Sequence, residues 1–258
     1  MDTIEFLHHI RGMELERAMA EMPAVDSKSG GVTVLDIGAG TGWQAKELSE
    51  RGFNVIALDV SSSAYRDQRV FHVTEYDGRN IPIGNDSIDV VFSSNVLEHV
   101  VNIDDLLDEV HRILIPGGMA VHVLPTSACR FWSLIAHYGW LARRILEILK
   151  PKADSHTSLD NKSNSMDSGS RSWIRDLIPS RHGERGIAIS EIYYYSEYWW
   201  VGEFKAHGFL IEKITKNNLF YSMANFLQFK LSIARRQWLA RYLGSSCKIY
   251  KTCKHTER

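Results

Sequence analysis

The sequence predicts an α/β fold, a Rossmann-like and mostly parallel sheet flanked by helices, with a helical and loop insertion after the fifth strand. Short apolar segments alternate with helical segments through the first 125 residues. This order is typical of parallel sheets whose strands are connected by helices. In addition, the first strand runs through a glycine-rich turn into a helix, which is how many such sheets bind nucleotides.

Composition and charge indicate one ordinary domain. The chain has 258 residues, a formal net charge of −1 and 44% hydrophobic residues. This length is enough to bury a full core, and the charge balance argues against a polyanion-binding molecule. Cys129, Cys247 and Cys253 are too few and too scattered for a disulfide framework or a zinc knuckle. We therefore expect one domain with an elaboration, in a reducing compartment.

The termini bear on localisation. The first ten residues, MDTIEFLHHI, carry acid where a secretory signal needs base. No stretch reaches the roughly 18 uncharged apolar residues of a membrane span, so we expect a cytoplasmic protein. Residues 226–258 carry eight lysines and arginines against one acid, Glu257. This basic segment leaves open a peripheral contact with the inner face of an anionic membrane, docking on the sheet, or contact with a partner.

The glycine turn lies in the segment VLDIGAGTG, residues 34–42, where Gly38, Gly40 and Gly42 alternate. Glycines let the backbone approach a ligand closely, and the free N–H groups of the next helix favour a negative or strongly polar group. A dinucleotide fingerprint would need glycine at position 43, where the chain has Trp43. The turn thus indicates a nucleotide-like cofactor, with a nicotinamide-dependent oxidoreductase as the alternative.

An acid follows the second strand, which is predicted over residues 53–58. Asp59 ends this strand and lies 21 residues after Gly38. In doubly wound sheets an acid about 20 residues past the glycines binds ribose hydroxyls, and a carboxylate offers paired acceptors for two vicinal hydroxyls. We predict that Asp59 binds the ribose; the alternative is a surface aspartate in a loop.

Two more strands are predicted over residues 70–76 and 88–93, and each leads to polar residues. The first ends at Asp77 and Gly78, and the second leads through Asn95 into NVLEHV. Between them come an IPI turn and the run SIDVV. These motifs in this order, with the spacing of the glycine turn, resemble the type 11 group of class I S-adenosylmethionine-dependent methyltransferases. The resemblance covers roughly the first half of the chain.

This resemblance implies the cofactor and several roles. S-adenosylmethionine would be the cofactor, and Asp77 would accept from its adenine amino group beside the backbone of Gly78. Asn95 would close the floor under the methionine moiety. The predicted cofactor-binding residues are Asp36, Gly38, Ala39, Gly40, Gly42, Asp59, Val60, Asp77, Gly78 and Asn95.

Residues 102–114 have the strongest helical pattern, with apolar residues at i, i+3, i+4 and i+7. Asn102 is a candidate N-cap. Pro116 to Gly118 would end the helix, and a fifth strand is predicted over residues 119–124.

We predict a single methyltransferase domain over residues 1–258, divided into four regions. These are an N-terminal helix and loop (1–31), a cofactor-binding core (32–125), an acceptor-side insertion (126–195) and a closing helix, strand and basic C-terminal segment (196–258). The insertion begins with a wide apolar stripe at helical spacing, which favours a core or pocket wall and leaves membrane contact open. Its serine-rich part, residues 151–172, is predicted to be a mobile loop.

Two histidines are candidate catalytic residues. His182 lies in a polar and aromatic part of the insertion, and an unperturbed imidazole titrates where a general base works best. His99 follows the fourth strand within NVLEHV. The alternatives are a surface histidine for His182 and a structural role for His99. We expect no metal, because no metal-binding constellation is visible in the sequence.

The sequence therefore predicts a methyltransferase that aligns a nucleophile with the S–CH₃ bond of the cofactor. The predicted acceptor is an oxygen of a sugar, a glycolipid or another small metabolite. The alternatives are a nicotinamide-dependent oxidoreductase and a non-catalytic protein that binds the cofactor or docks on membranes. No nucleic-acid partner is expected, because no aromatic-basic motif for one is present.

Overall fold

The computed structural model describes residues 3–25, 31–149, 177–222 and 231–254. The serine-rich segment 151–172 lies outside these residues. The helices are α1 (Thr3–Met19), α2 (Trp43–Glu50), α3 (Ile103–Ile113), α4 (Ser127–Leu149), α5 (Glu191–Tyr194), α6 (Glu197–Ala206) and α7 (Ile233–Leu243). The strands are β1 (Thr33–Ile37), β2 (Asn54–Val60), β3 (Thr74–Tyr76), β4 (Ile88–Ser94), β5 (Leu114–Pro125), β6 (Phe209–Lys216) and β7 (Cys247–Lys254).

The seven strands form one sheet in the order β3-β2-β1-β4-β5-β7-β6. The first five strands of this order are parallel, and β7 is antiparallel to both β5 and β6. The predicted α/β fold with a mostly parallel sheet is confirmed. The strand order reverses between β1 and β4, and open α/β sheets bind ligands outside the carboxyl ends of the strands at such a point.

Helices cover both faces of the sheet. On one face, Leu107 of α3 and Trp200 of α6 pack in a core that includes Leu35 and Leu58 of the sheet. On the other face, Leu15 of α1 and Leu48 of α2 pack in a core that includes Val34 and Phe92. Because neighbouring residues of β1 belong to opposite cores, the strand is buried on both faces. This explains why its sequence is a nearly continuous apolar run.

The third and fifth strands begin at other residues than predicted, and the predicted N-cap of α3 makes no capping hydrogen bond. The third strand begins at Thr74 instead of residue 70, because the Val70 N–H bonds to Thr41 O of the glycine turn (2.8 Å). The fifth strand begins at Leu114, which pairs with Ile88 immediately after α3. Asn102 occupies the N-cap position of α3, but its side chain makes no capping hydrogen bond.

The basic C-terminal segment contains an element that the sequence prediction missed. Residues 247–254 form β7, which inserts between β5 and β6. Its lysines face acids: Lys248 Nζ lies 2.5 Å from Glu197, Lys251 Nζ lies 2.9 Å from Glu212, and Lys254 Nζ lies 2.6 Å from Asp86. This strand therefore docks on the sheet, which was one of the three alternatives for the basic segment. Within the described residues, no helix is long and apolar enough to cross a bilayer.

We expect Phe204→Ala to destabilise the fold strongly. Phe204 is fully buried and contacts the rings of Trp200 and His122, with centroid distances of 5.8 and 5.3 Å. Loss of a buried phenylalanine side chain costs about 3–5 kcal/mol of unfolding free energy, measurable by urea titration. Tyr198→Ala on the same helix is the control, because Tyr198 is 79% exposed; we expect a change within about 0.5 kcal/mol. Equal losses for the two variants would contradict this description of the core.

Candidate functional site

A cleft of about 550 Å³ opens where β1, β2, β3 and β4 end. Seven of the ten predicted cofactor-binding residues line it, namely Gly38, Gly40, Asp59, Val60, Asp77, Gly78 and Asn95. Asp36, Ala39 and Gly42 are not among the lining residues. The described residues of α1 do not line the cleft either; α1 packs on the sheet.

At two positions of the glycine turn, only glycine fits, because a Cβ would collide with a neighbouring side chain. Gly38 and Gly42 have φ angles of +71° and +75°. A Cβ on Gly38 would lie 2.5 Å from a Val96 methyl, and one on Gly42 would lie 2.8 Å from Phe71 Cβ. The backbone N–H groups of Gly38 and Ala39 both donate to Leu58 O, at 2.8 and 3.0 Å. The turn is therefore held tightly against the end of β2, which explains why Gly42 and Ala39 serve the turn without lining the cleft.

Asp59 joins the turn to β2 through its side chain. One carboxylate oxygen accepts from the Gly40 N–H (3.0 Å), and the other accepts from the Val60 N–H (2.8 Å). The residue is 8% exposed, and it lines the cleft. A carboxylate has about four lone-pair sites, so acceptor capacity remains for hydroxyl groups of a ligand in the cleft.

Asp36 lies beneath the turn. It is buried, and its Oδ2 has no hydrogen-bond partner in the described part of the chain. Burial, with a smaller contribution from the negative charge of Asp59, raises the pKa of Asp36 to about 8. Asp36 is thus largely protonated at neutral pH. Because it does not line the cleft, Asp36 would support the turn rather than contact the cofactor directly.

Asp77 accepts hydrogen bonds from its own loop. Its oxygens accept from the N–H groups of Arg79 (2.8 Å) and Asn80 (2.7 Å) and from the Asn80 side chain (2.7 Å). These bonds, the one from the Asn80 side chain foremost, lower the pKa of Asp77. The carboxylate is thereby fixed in orientation beside Gly78 at the cleft.

Asn95 adopts a left-handed backbone conformation, with φ +56°. Its N–H donates to Val123 O (2.8 Å), and its side-chain oxygen lies 3.5 Å from the Cys247 thiol, which donates to it. Non-glycine residues seldom adopt this conformation, and such residues cluster at functional sites. Asn95 therefore marks the turn after β4, and it lines the cleft together with Asp59.

Several residues that line the cleft were not among those predicted from the sequence. Tyr65 and Tyr76 both face it, and a Cβ on Gly40 would lie 3.5 Å from the Tyr65 ring. Burial raises the pKa of Tyr76 to about 12. The only signal in the sequence was the polar run SSSAY after β2, which has no pattern specific to a ligand.

His99 and His182 lie side by side in the structure, with ring centroids 4.8 Å apart. His99 lines the cleft. His182 belongs to a segment that docks on the turn after β4, since Glu184 N–H donates to Glu98 O (2.9 Å) and Arg185 donates to Val100 O (2.7 Å). Both predicted catalytic candidates thus reach the same end of the sheet.

The electrostatics disfavour His182 as a general base. Burial, reinforced by His99 and two arginines, lowers its pKa to about 4, and burial also lowers the pKa of His99. A base works best when its pKa lies near the working pH. The lowered pKa of His182 therefore makes this residue a poor match for a general base at neutral pH. Beside the two histidines, burial raises the pKa of Glu98 to about 8.

Comparison with known proteins identifies the core. Residues 35–122 match a family model described as a methyltransferase domain. A biotin biosynthesis bifunctional protein, BioHC, of Cellvibrio japonicus is 37% identical over 92 residues, which are 34% of this chain and 18% of that protein. A malonyl-[acyl-carrier protein] O-methyltransferase of Pectobacterium atrosepticum is 33% identical, over 40% of this chain and 41% of that protein. The chain thus spans less than half of these relatives.

A solved structure shares the fold. The S-adenosylmethionine-dependent methyltransferase of Mesorhizobium loti superposes with a TM-score of 0.54 at 18% identity, covering 94% of this chain and 98% of that one. At this identity the likeness concerns the fold.

We expect Asp59→Ala to weaken binding of S-adenosylhomocysteine by at least about tenfold, because one hydrogen bond to a charged group contributes about 1.5–3 kcal/mol. Titration calorimetry measures the affinity. Asp67→Ala is the matched control, since Asp67 is exposed and does not line the cleft; its affinity should stay unchanged. An unchanged affinity of the Asp59 variant would remove this residue from the ribose site.

Proposed function

We propose that the chain uses S-adenosylmethionine to methylate an oxygen of a small acceptor, since residues 35–122 match a methyltransferase domain. The observation that carries the proposal is the cleft at the β1–β4 reversal. There the glycine turn, Asp59 and Asn95 converge on one volume. This combination fits a nucleoside joined to an amino acid better than it fits a dinucleotide, since Trp43 replaces the third fingerprint glycine.

In the proposed complex, Asp77 and Gly78 hold the adenine, and Asp59 holds the ribose. The glycine turn and Asn95 flank the methionine end. Support comes from chemistry: Asp59 retains acceptor sites for hydroxyl groups, and Asp77 is an oriented acceptor for an amino group. Bound there, S-adenosylmethionine supplies an activated methyl group. Alignment by the residues of the chain can then contribute about 7–11 kcal/mol to lowering the barrier.

We propose a sugar, a glycolipid or another small metabolite as the acceptor. The relative named as an O-methyltransferase of a malonyl carrier supports transfer to oxygen. The acceptor side is formed by residues 177–195, which dock beside His99 and carry exposed aromatic side chains such as Tyr193. A surface of this kind leaves room for an acceptor larger than the cleft itself.

Release of S-adenosylhomocysteine tests the proposed activity. We expect turnover with at least one pool of hydroxyl- or carboxyl-bearing metabolites or glycolipids, with labelled methyl recovered in the acceptor. The Asp59→Ala variant should lose most of this turnover at low cofactor concentration, because its cofactor affinity falls. Binding of S-adenosylhomocysteine without methyl transfer to any pool would favour the non-catalytic alternative, and tighter binding of a nicotinamide cofactor would favour the oxidoreductase.

For a glycolipid acceptor, we propose that α4 lies against the membrane surface. Phe131, Ile135 and Tyr138 of this helix are 44–50% exposed, and the Arg144 guanidinium stacks over Trp140 at 5.2 Å. A basic helix that exposes aromatic and aliphatic side chains suits the interface of an anionic bilayer. The paired lysines of β7 are less suited to this role, since acids of the chain already face them.

Liposome sedimentation tests this contact. We expect the protein to sediment with anionic vesicles at low salt and to be released at high salt. A double variant, Phe131→Ser with Ile135→Ser, should reduce sedimentation severalfold. Leu210→Ser on β6 is the control, because this side chain is equally exposed at 49% but lies on the edge strand. Sedimentation that the double variant leaves unchanged would refute contact through α4.

A further inference from the structure

Glu98, His99 and His182 form a cluster at the end of the cleft. One ligand atom from each of them lies within 4.8 Å of the others. Glu98 and His99 belong to the short turn after β4, and His182 comes from the segment docked on that turn. Glu98 and His99 are adjacent in sequence but His182 is distant from them, so no spacing motif reveals the cluster, and no metal was expected from the sequence.

Glu98 is the unusual member. It is 2% exposed, and neither carboxylate oxygen has a hydrogen-bond partner within the described residues. The nearest imidazole nitrogen, Nε2 of His99, lies 3.9 Å from its Oε1. Burial of a carboxylate without a partner is strongly unfavourable, and buried carboxylates are normally paired, protonated or bound to a metal. The other residues of the cluster therefore supply no hydrogen-bond partner for the Glu98 carboxylate.

Neighbouring cations are engaged elsewhere. Arg11 pairs with the buried carboxylate of Glu14 at 2.7 Å. Arg185 donates to the carbonyl oxygens of Leu97 and Val100 and stacks over a tryptophan ring. These arginines thus leave the carboxylate of Glu98 without a direct ion pair, and the charge of Arg11 is compensated by Glu14.

The position of His182 is fixed by a buried support. Its backbone N–H and that of Gly183 both donate to Glu191 Oε1, at 2.7 and 2.6 Å. Glu191 is itself buried and pairs with Arg130 at 2.7 Å. This arrangement holds the loop of His182 against the turn of Glu98, while His99 and His182 are both exposed to solvent.

A second cluster of similar composition differs from the first, because its histidine is already hydrogen-bonded. Asp104, Glu203 and His207 also lie close together. There, however, both ring nitrogens of His207 are already used, with Asp108 at 2.7 Å and Asp104 at 3.2 Å, and the aspartates are exposed. That cluster is an ordinary surface ion pair, and it provides a control for the first.

We propose that Glu98, His99 and His182 bind one divalent first-row transition-metal ion beside the cofactor cleft. Two imidazole nitrogens and one carboxylate oxygen are a common ligand set for zinc and for iron(II), with coordination positions left open. Ligand atoms around such an ion lie about 3–3.5 Å apart, given metal–ligand distances near 2.0–2.2 Å. The cluster must therefore contract by roughly 1–2 Å, which rotation of the two accessible imidazoles allows.

The location suggests a role, which rests on the proposed function. His99 lines the cofactor cleft, so an ion on it can take a hydroxyl oxygen of the acceptor at an open position and lower its pKa. The hydroxyl proton passes to solvent, the S–CH₃ bond breaks and the O–CH₃ bond forms. The sulfonium becomes a neutral thioether, so no oxidant or reductant is needed. The ion would thereby lower the pKa of the hydroxyl without a separate general base.

Zinc binding tests the site without any acceptor. The full chain, stripped with a chelator, is titrated calorimetrically with Zn²⁺, and the bound metal is counted after dialysis. We expect one ion per chain, with affinity reduced at least tenfold in Glu98→Gln and in His182→Ala, and unchanged in His207→Ala. Retained binding of S-adenosylhomocysteine verifies that each variant is folded. Absence of stoichiometric zinc, or equal affinity in the Glu98 and His182 variants and the wild type, would overturn the site.

The acceptor role needs a separate comparison. With an acceptor that is turned over, removal of the ion should abolish methyl transfer while leaving S-adenosylhomocysteine affinity unchanged, and added Zn²⁺ or Mn²⁺ should restore it. Equal turnover of stripped and loaded protein would overturn the acceptor role. No turnover of any acceptor by zinc-loaded protein would refute the proposed methyl transfer, while the calorimetric result on the metal site would still stand.

Discussion

The attachment of the glycine turn to the end of β2 is the constraint on which the rest of the site depends. Leu58 O accepts from two N–H groups of the turn, and the Asp59 carboxylate accepts from a third, that of Gly40. Without this attachment the loops after β1 and β2 would be independent. With it, the glycine backbone proposed to approach the cofactor and the Asp59 carboxylate proposed to bind its hydroxyls are held at a fixed separation. Close packing of Val96 and Phe71 against the glycines further restricts the position of the turn.

The segment beside His99, which we propose to form the acceptor side, depends on a different set of contacts. The segment containing His182 is held from below by Glu191 and from the side by the carbonyl groups of the turn after β4. This brings together a buried carboxylate and two exposed imidazoles, a ligand set that suits a metal ion. The strained backbone of Asn95 lies between the two halves, so the turn after β4 contributes to both.

Much of the fold followed from the sequence because the relevant signals were local. Continuous apolar runs gave the buried strands, and the stripe of residues 102–114 gave α3. β7 was missed because its alternation of lysines with buried residues such as Ile249 reads equally well as a basic tail until its partner strands are known. The cleft at the glycine turn and Asp59 was predictable from the glycine spacing. The cluster of Glu98 and His182 was not, since it arises only when a distant loop docks on the turn.

A crystal structure of the chain with S-adenosylhomocysteine tests the central claim most directly. The account requires the ribose hydroxyls to hydrogen-bond Asp59, the adenine to lie beside Asp77 and Gly78, and the sulfur to point toward the end of the cleft formed by His99. A cofactor product bound outside this cleft, or bound in it with the ribose away from Asp59, would contradict the account.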